Sequence, residues 1–245
     1  MAFIPRIFVE DSDIENKKVF VGGADANHIL RVLRKTVGDT VTVCGGGSVF
    51  SASIEKIADE GLCLSLGDEL GKNNEMPFDV TVYQCNPKGD KLDTVVRKAV
   101  ELGASEIVVV LSERCVARPD SKSFASKLER MNKISESAAA QCGRSFIPKV
   151  RGLISYKEAI SEMKNSDISF VCYEGDGVVQ LPKLLSGEPK SISFLIGPEG
   201  GISEKEISLA ESESVALAGL GNRILRTETA SGYVLSAISV LLELK

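Results

Sequence analysis

"SISFLIGPEGGISEKEI", Ser191 to Ile207, passes from an apolar run to a charged one through three glycines, a proline and one carboxylate. The near-continuous hydrophobicity of "SISFLI" is that of a strand buried on both faces. Ser203 and, three residues later, Glu206 form a capping-box pattern that starts a helix, because each side chain can satisfy a backbone N–H of the other. A buried strand, a tight loop and a helix together make one unit of a mostly parallel α/β sheet. Such sheets receive ligands at the carboxyl ends of their strands.

The loop is unlike those that cradle phosphates. It has no lysine and hydroxyl after the glycines and no G-x-G-x-x-G spacing. Its only ionisable group is Glu199, which repels phosphate but tolerates a neutral nucleoside or a cation. Pro198 stiffens the turn, and the glycines let the backbone approach a flat ligand. An adenosine attached to a positively charged sulfonium suits these features.

Two further strand ends have the same character. "VALAGLGNRILRTETASGY", Val215 to Tyr233, runs from a strand through "GLGNR" into the last helix and clusters Arg223, Arg226, Thr227, Glu228 and Thr229. "CYEGDG", Cys172 to Gly177, precedes both. Three consecutive glycine-rich strand ends would meet at one edge of the sheet.

Outward from these loops the same period holds. "DVTVYQC", "EIVVVLS" and "ISFVCY" read as strands, while "KLDTVVRKAVELG", "SFASKLERMNKISESAAAQCG" and "YKEAISEMK" read as helices, the first two closed by glycine. The first 70 residues differ. Short alternating runs such as "RIFVE", "KKVFV", "DTVTVC", "SVFSASI" and "LCLSL", separated by glycine and acidic turns, predict a small β-barrel. One helix interrupts it: "NHILRVLRK" places Ile29, Leu30, Val32 and Leu33 on one arc and His28, Arg31, Arg34 and Lys35 on the other. That basic face is either a solvated surface or a phosphate-binding edge. Polar "GDELGKNNEMP" separates the two regions, giving a barrel over 1–70, a linker over 71–77 and an α/β domain over 78–245.

Composition narrows the function. With 245 residues, 43% of them hydrophobic, the chain can bury a sizeable core, and it has no apolar run of about 18 residues to span a membrane. A cytoplasmic protein is expected. Six cysteines scattered without a C-x-x-C pair read as reduced and mostly buried, and a single histidine argues against the usual metal sites. A net charge of −5 is incompatible with coating nucleic acid indiscriminately, so any such contact must come from local basic patches.

"LIGPEGGISEKEI" together with "LGNRILRTETA" resembles the paired signature of the RsmE family, 16S ribosomal RNA (uracil-N3)-methyltransferases of the SPOUT superfamily. "RIF", "HILRVLRKTVGD", "RKAVELGASEIVVVLSER" and "SAAAQCGRSFIP" stand in the order that family uses, so the likeness spans nearly the whole chain. The resemblance implies a PUA-like β-barrel before a trefoil-knotted, mostly parallel α/β domain, acting as a homodimer with S-adenosylmethionine and no metal. It further implies cofactor contacts from Tyr173, Glu174, Leu195, Ile196, Gly197, Glu199, Gly200, Gly201, Leu220, Gly221, Asn222, Ile224, Leu225 and Arg226. In the last loop, Leu220 and Gly221 are preferred to Gly219.

The implied reaction is methylation of N3 of a uridine in 16S rRNA of the small ribosomal subunit. Arg226, then Arg223, would stabilise charge developing on the uracil carbonyls, since arginine stays charged. Glu228 or Glu199 would accept the imide proton. That nitrogen is used in base pairing, so the uridine must be unpaired or flipped out. Arg6, His28, Arg31, Arg34, Arg97, Arg114 and Arg144 are the candidate RNA contacts. Two alternatives are a non-catalytic RNA-binding or ribosome-assembly factor and a SPOUT enzyme modifying another nucleotide.

Overall fold

The alternating apolar runs of the first part and the longer buried runs of the second become two separate sheets. The computed structural model describes residues 4–45, 48–70 and 74–244, so the first three residues of the expected linker, 71–73, lie outside it. The chain divides into one unit of Met1–Glu75 with Ala139–Ile147 and a second of Met76–Ala138 with Pro148–Lys245.

In the first unit, strands β1 (Arg6–Phe8), β2 (Ile14–Glu15), β3 (Lys18–Gly22), β4 (Thr40–Gly45), β5 (Ser48–Ala58) and β6 (Gly61–Glu69) form one sheet ordered β1-β4-β5-β6-β3-β2. The expected barrel is thus a curled sheet whose two shortest strands lie at its ends. Register shifts in β5, between Phe50 and Ala52 and between Ile54 and Lys56, bend that long strand. Alternate residues enclose a core of Ile7, Val19, Val41, Val43, Ile54, Leu62 and Leu64.

The basic helix is shorter than its sequence suggests. Helix α1 (Gly23–Asn27) gives way to a wider π turn at His28–Val32, and Arg34 adopts a left-handed φ of 54°. The altered period buries Ala26 and Ile29 but leaves Val32 66% exposed, although a regular helix would place it on the buried arc. His28, Arg31 and Arg34 are all exposed. Lys35 is partly covered and lies 3.9 Å from Asp39.

In the second unit the strands are β7 (Asp79–Cys85), β8 (Glu106–Leu111), β9 (Lys149–Ser155), β10 (Ile168–Cys172), β11 (Val179–Gln180), β12 (Ser191–Ile196) and β13 (Ala216–Gly219). They are ordered β11-β13-β10-β12-β7-β8-β9, and every pairing is parallel. The helices are α2 (Lys91–Glu101), α3 (Ser121–Cys142), α4 (Tyr156–Met163), α5 (Leu181–Leu184), α6 (Glu204–Ser212) and α7 (Thr227–Ile238). Gly103 and Gly143 follow α2 and α3 with φ of 93° and 84°, the left-handed conformation that ends a helix. The last four residues of α3 group with the first unit.

Strand β9 has no counterpart among the runs that predict strands. "KVRGLIS" is mostly half-exposed because β9 is an edge strand, so it lacks the continuous apolar run of its neighbours. Short β11 and α5 were missed for want of any period. No helix among the described residues is long and apolar enough to cross a membrane.

Candidate functional site

Because β13, β10, β12 and β7 are parallel neighbours, the loops at their carboxyl ends rise from one edge of the sheet. They surround a cavity of about 620 Å³. The capping box expected at Ser203 is present: its hydroxyl accepts from the Glu206 N–H while the Glu206 carboxylate accepts from the Ser203 N–H. The second Glu206 oxygen accepts from the Glu113 N–H at 2.7 Å, and the Ser203 hydroxyl donates to Glu113 at 2.8 Å. The far end of the "GPEGG" loop is thereby tied to the segment after β8.

The near end is fixed by Thr227. Its hydroxyl donates to the Gly197 carbonyl at 2.8 Å and accepts from the fully buried Gln84 amide at 2.8 Å. Gln84 sits at the end of β7 directly opposite Ile196 in the parallel ladder. Loop, helix and strand therefore meet through one buried hydroxyl.

Of the residues assigned to the cofactor, twelve line the cavity: Tyr173, Glu174, Ile196, Gly197, Glu199, Gly201, Leu220, Gly221, Asn222, Ile224, Leu225 and Arg226. Arg223 lines it too, and Gly219 lines it beside Leu220 and Gly221. Two assignments do not hold as wall residues. Leu195 is fully buried, on the opposite face of β12 from Ile196, in the core with Tyr83, Val108 and Val171. Gly200 turns its α-hydrogen side toward Arg114, whose Cβ is 3.2 Å from where a Gly200 side chain would begin. The Arg114 guanidinium also donates to the Gly200 carbonyl at 3.1 Å, so this arginine braces the back of the loop.

Lys91, Cys172, Val178, Gln180, Pro198, Ile202, Thr227 and Ala230 line the cavity and were not assigned to it. Lys91 had a legible signal. "NPKGDK", with Gly89 at φ 65°, is a fourth polar, glycine-containing strand end, following β7. Pairing of β7 with β12 brings it beside the "GPEGG" loop.

Lys91 organises the charge here. Its ammonium lies 2.7 Å from Glu199 Oε1 and 3.8 Å from Glu228 Oε2. Glu199 also accepts from the Lys88 N–H. Partial burial pushes the Glu199 carboxyl up, but Lys91 and the surrounding N–H groups outweigh it and hold the group below the ordinary glutamate value. The same hydrogen bond pushes the Lys91 ammonium up. Glu228 is off the cavity wall, and its buried Oε2 has no hydrogen-bond partner among the described residues.

The RNA candidates divide. His28, Arg31, Arg34, Arg97 and Arg114 are exposed. Arg144 is 3% exposed, pairs with Glu75 and stacks over Phe146 at 4.7 Å, so it cannot present its guanidinium to a phosphate. It groups with the first unit, not with the second domain as expected. Half-buried Arg6 donates to the Arg144 carbonyl at 2.7 Å.

The cavity has the volume of a small-molecule site, for which about 300–1,000 Å³ is usual. Ile196, Ile202, Val178 and Leu225 offer apolar surface to a purine, four glycines bring backbone to the wall, and Glu174 and Glu199 favour a cation. These residues fit S-adenosylmethionine. A parallel α/β domain with such a site defines a class: a family model described as the RNA methyltransferase domain matches residues 74–239, and one described as the RNA methyltransferase PUA domain matches residues 21–66.

The chain belongs to the ribosomal RNA small subunit methyltransferase E family. It is 33% identical to the Bacillus subtilis protein of that name, over 98% of this chain and 97% of that one. The Synechocystis protein is 31% identical, over 97% and 78%. The crystal structure of the Neisseria gonorrhoeae enzyme bound to S-adenosyl methionine superposes with a TM-score of 0.85 at 30% identity, covering 98% of each chain.

Proposed function

We propose that this protein transfers a methyl group from S-adenosylmethionine to N3 of a uridine in 16S rRNA of the small ribosomal subunit. The observation that carries the reading is the cavity, where three glycine-rich strand ends meet Arg223 and Arg226. S-adenosylmethionine supplies the methyl group when bound, the carbon–sulfur electron pair returning to sulfur.

Arg226 caps the start of α7 with an extended backbone, and its guanidinium is the donor suited to charge on the uracil carbonyls. Arg223, in the same loop, holds the base or its phosphate. Glu199 and Glu228 are the two candidate proton acceptors. Glu199 lines the cavity, where Lys91 and the Lys88 N–H hold its carboxylate, whereas Glu228 lies off the wall with its buried Oε2 3.8 Å from Lys91. Orientation of the two reactants can contribute roughly 7–11 kcal/mol of such a barrier. Exposed His28, Arg31 and Arg34 of the first unit, and Arg97 and Arg114 of the second, hold RNA phosphates.

The reading extends to a cytoplasmic homodimer with a trefoil knot in its second domain. Tyr233 of α7 and Val240 of the π turn that follows it, Ser239–Glu243, are 45% and 63% exposed, which suits burial against a second copy. The test is incubation with small ribosomal subunits and labelled S-adenosylmethionine, followed by nucleoside mass spectrometry. 3-Methyluridine is the expected product, and a ribose-methylated nucleoside would overturn the uridine assignment.

A further inference from the structure

Ile224 stands apart from the other isoleucines of the cavity. Ile196 and Ile202 line it at 2% and 4% exposure, since the protein around them covers all but a small part of each. Ile224 lines it too, yet it is 87% exposed, more than any other large hydrophobic among the described residues. A side chain set into a concave wall cannot leave so much of its surface open. Ile224 therefore meets the cavity at its mouth and carries its side chain outward.

The segment that presents it is held at both ends. Before it, Gly219 pairs with Gln180 in the parallel ladder of β13 and β11. After it, the Thr227 hydroxyl donates to the Gly197 carbonyl at 2.8 Å. Gly221, at a left-handed φ of 94°, turns the chain between these two ties. The exposed side chain is thus offered from a short, anchored loop, so little freedom is lost when something covers it. Arg223 and Arg226, both exposed, flank it in the same loop.

We propose that the Ile224 side chain packs against the face of the target uracil and holds the flipped-out ring while the neighbouring arginines meet its edge. This deepens the functional reading above and rests on it. A base withdrawn from its stack exposes two flat apolar faces, and the withdrawn state persists only if they are covered again. A branched aliphatic side chain covers such a face without competing for the ring carbonyls, which stay free for a guanidinium. The two arginines also decide between occupants. They complement the charge of a nucleotide, whereas an apolar protein surface laid over Ile224 would have to strip water from both guanidinium groups.

Four forms of the full-length protein test the proposal: wild type, Ile224→Ala, Ile224→Ser and Ile224→Leu. Single-turnover methylation of small ribosomal subunits at saturating enzyme reads the reacting state, filter binding reads subunit affinity, calorimetry reads S-adenosylhomocysteine affinity, and light scattering reads the oligomeric state. Ile224→Ala and Ile224→Ser should lower the single-turnover rate roughly tenfold, and Ile224→Leu should keep most of it. Subunit affinity should barely move, because phosphate contacts supply most of it. S-adenosylhomocysteine affinity should be unchanged, which also shows that each variant is folded.

An unchanged rate in Ile224→Ala overturns the proposal, as does an Ile224→Leu enzyme no faster than Ile224→Ala. A fall in S-adenosylhomocysteine affinity that matches the fall in rate would make Ile224 a cofactor contact instead. A change of oligomeric state would assign the side chain to an interface with a second copy, and either result overturns the uracil contact. A wild-type protein that binds S-adenosylhomocysteine but forms no 3-methyluridine would refute the functional reading itself, a result distinct from all of these.

Discussion

The Thr227 hydroxyl donates to the Gly197 carbonyl at 2.8 Å, joining the first residue of α7 to the first residue of the "GPEGG" loop. The same oxygen accepts from the buried Gln84 amide. Valine at 227 keeps the shape and removes both bonds, leaving a buried carbonyl and one amide N–H unpaired. Thr227→Val should lose about 1–3 kcal/mol of stability and weaken S-adenosylhomocysteine binding, whereas Thr227→Ser should do neither. Thermal denaturation and calorimetry read the two effects.

Gly219 and Gly200 should answer differently to the same substitution. A Cβ at Gly219 would lie 2.8 Å from Val178 Cγ2 and 2.9 Å from the Gln180 amide nitrogen, and both of those side chains line the cavity. Gly219→Ala pushes them into the ligand space, and S-adenosylhomocysteine affinity should fall tenfold or more. At Gly200 the added carbon meets Arg114 outside the cavity, at 3.2 Å. Gly200→Ala should therefore cost less affinity, and calorimetry on the pair measures the difference; equal losses would place Gly200 on the cavity wall.

Arg226→Ala should lower kcat by roughly 10²- to 10³-fold if its guanidinium stabilises charge on the uracil carbonyls. S-adenosylhomocysteine affinity should change far less. Arg226→Lys should recover only part of the rate, since an ammonium cannot present two parallel donors. Single-turnover kinetics on small ribosomal subunits separates the chemical step from product release.

Arg31→Glu with Arg34→Glu should weaken RNA binding and flatten its dependence on salt, reducing the slope of log K against log salt by about one to two. S-adenosylhomocysteine affinity should be unaltered. By contrast, Arg144→Ala leaves Glu75 buried without its cation, so it should lower the melting temperature and leave the salt slope alone.

Tyr233→Glu with Val240→Glu places one charge on α7 and one on the π turn that follows it, both at exposed positions. Light scattering should report a monomer for the variant and the proposed homodimer for the unaltered protein. A dimer that survives the change would move the interface to another face.

Much of the second unit could be read from local chemistry. "DVTVYQC" and "SISFLI" are strands with the bounds their apolar runs imply, and Ser203 caps α6 as the Ser–Glu spacing requires. These features depend on a few adjacent residues, so they survive without knowledge of the rest of the chain. The "GPEGG" loop was legible as a ligand loop for the same reason: its glycines, its proline and the charge of Glu199 are local facts. Where the reading failed, a longer-range term had won. A π turn displaced Val32 from the buried arc, and the edge position of β9 left its sequence without the apolar run that marks an interior strand.

The sequence by itself determined that an α/β domain follows a small β unit and that three glycine-rich strand ends carry the site. It also determined that the ligand there is not a phosphate. Only the tertiary structure decided which side chains face the cavity. Strand order set beside one another segments that are distant along the chain, so that Lys91 stands between Glu199 and Glu228 and Thr227 between Gln84 and Gly197. The direction a side chain takes at a strand end depends on its neighbours in the sheet. That is why Leu195 and Gly200, inside the right motif, turned away from the cavity, while Lys91, outside it, turned in.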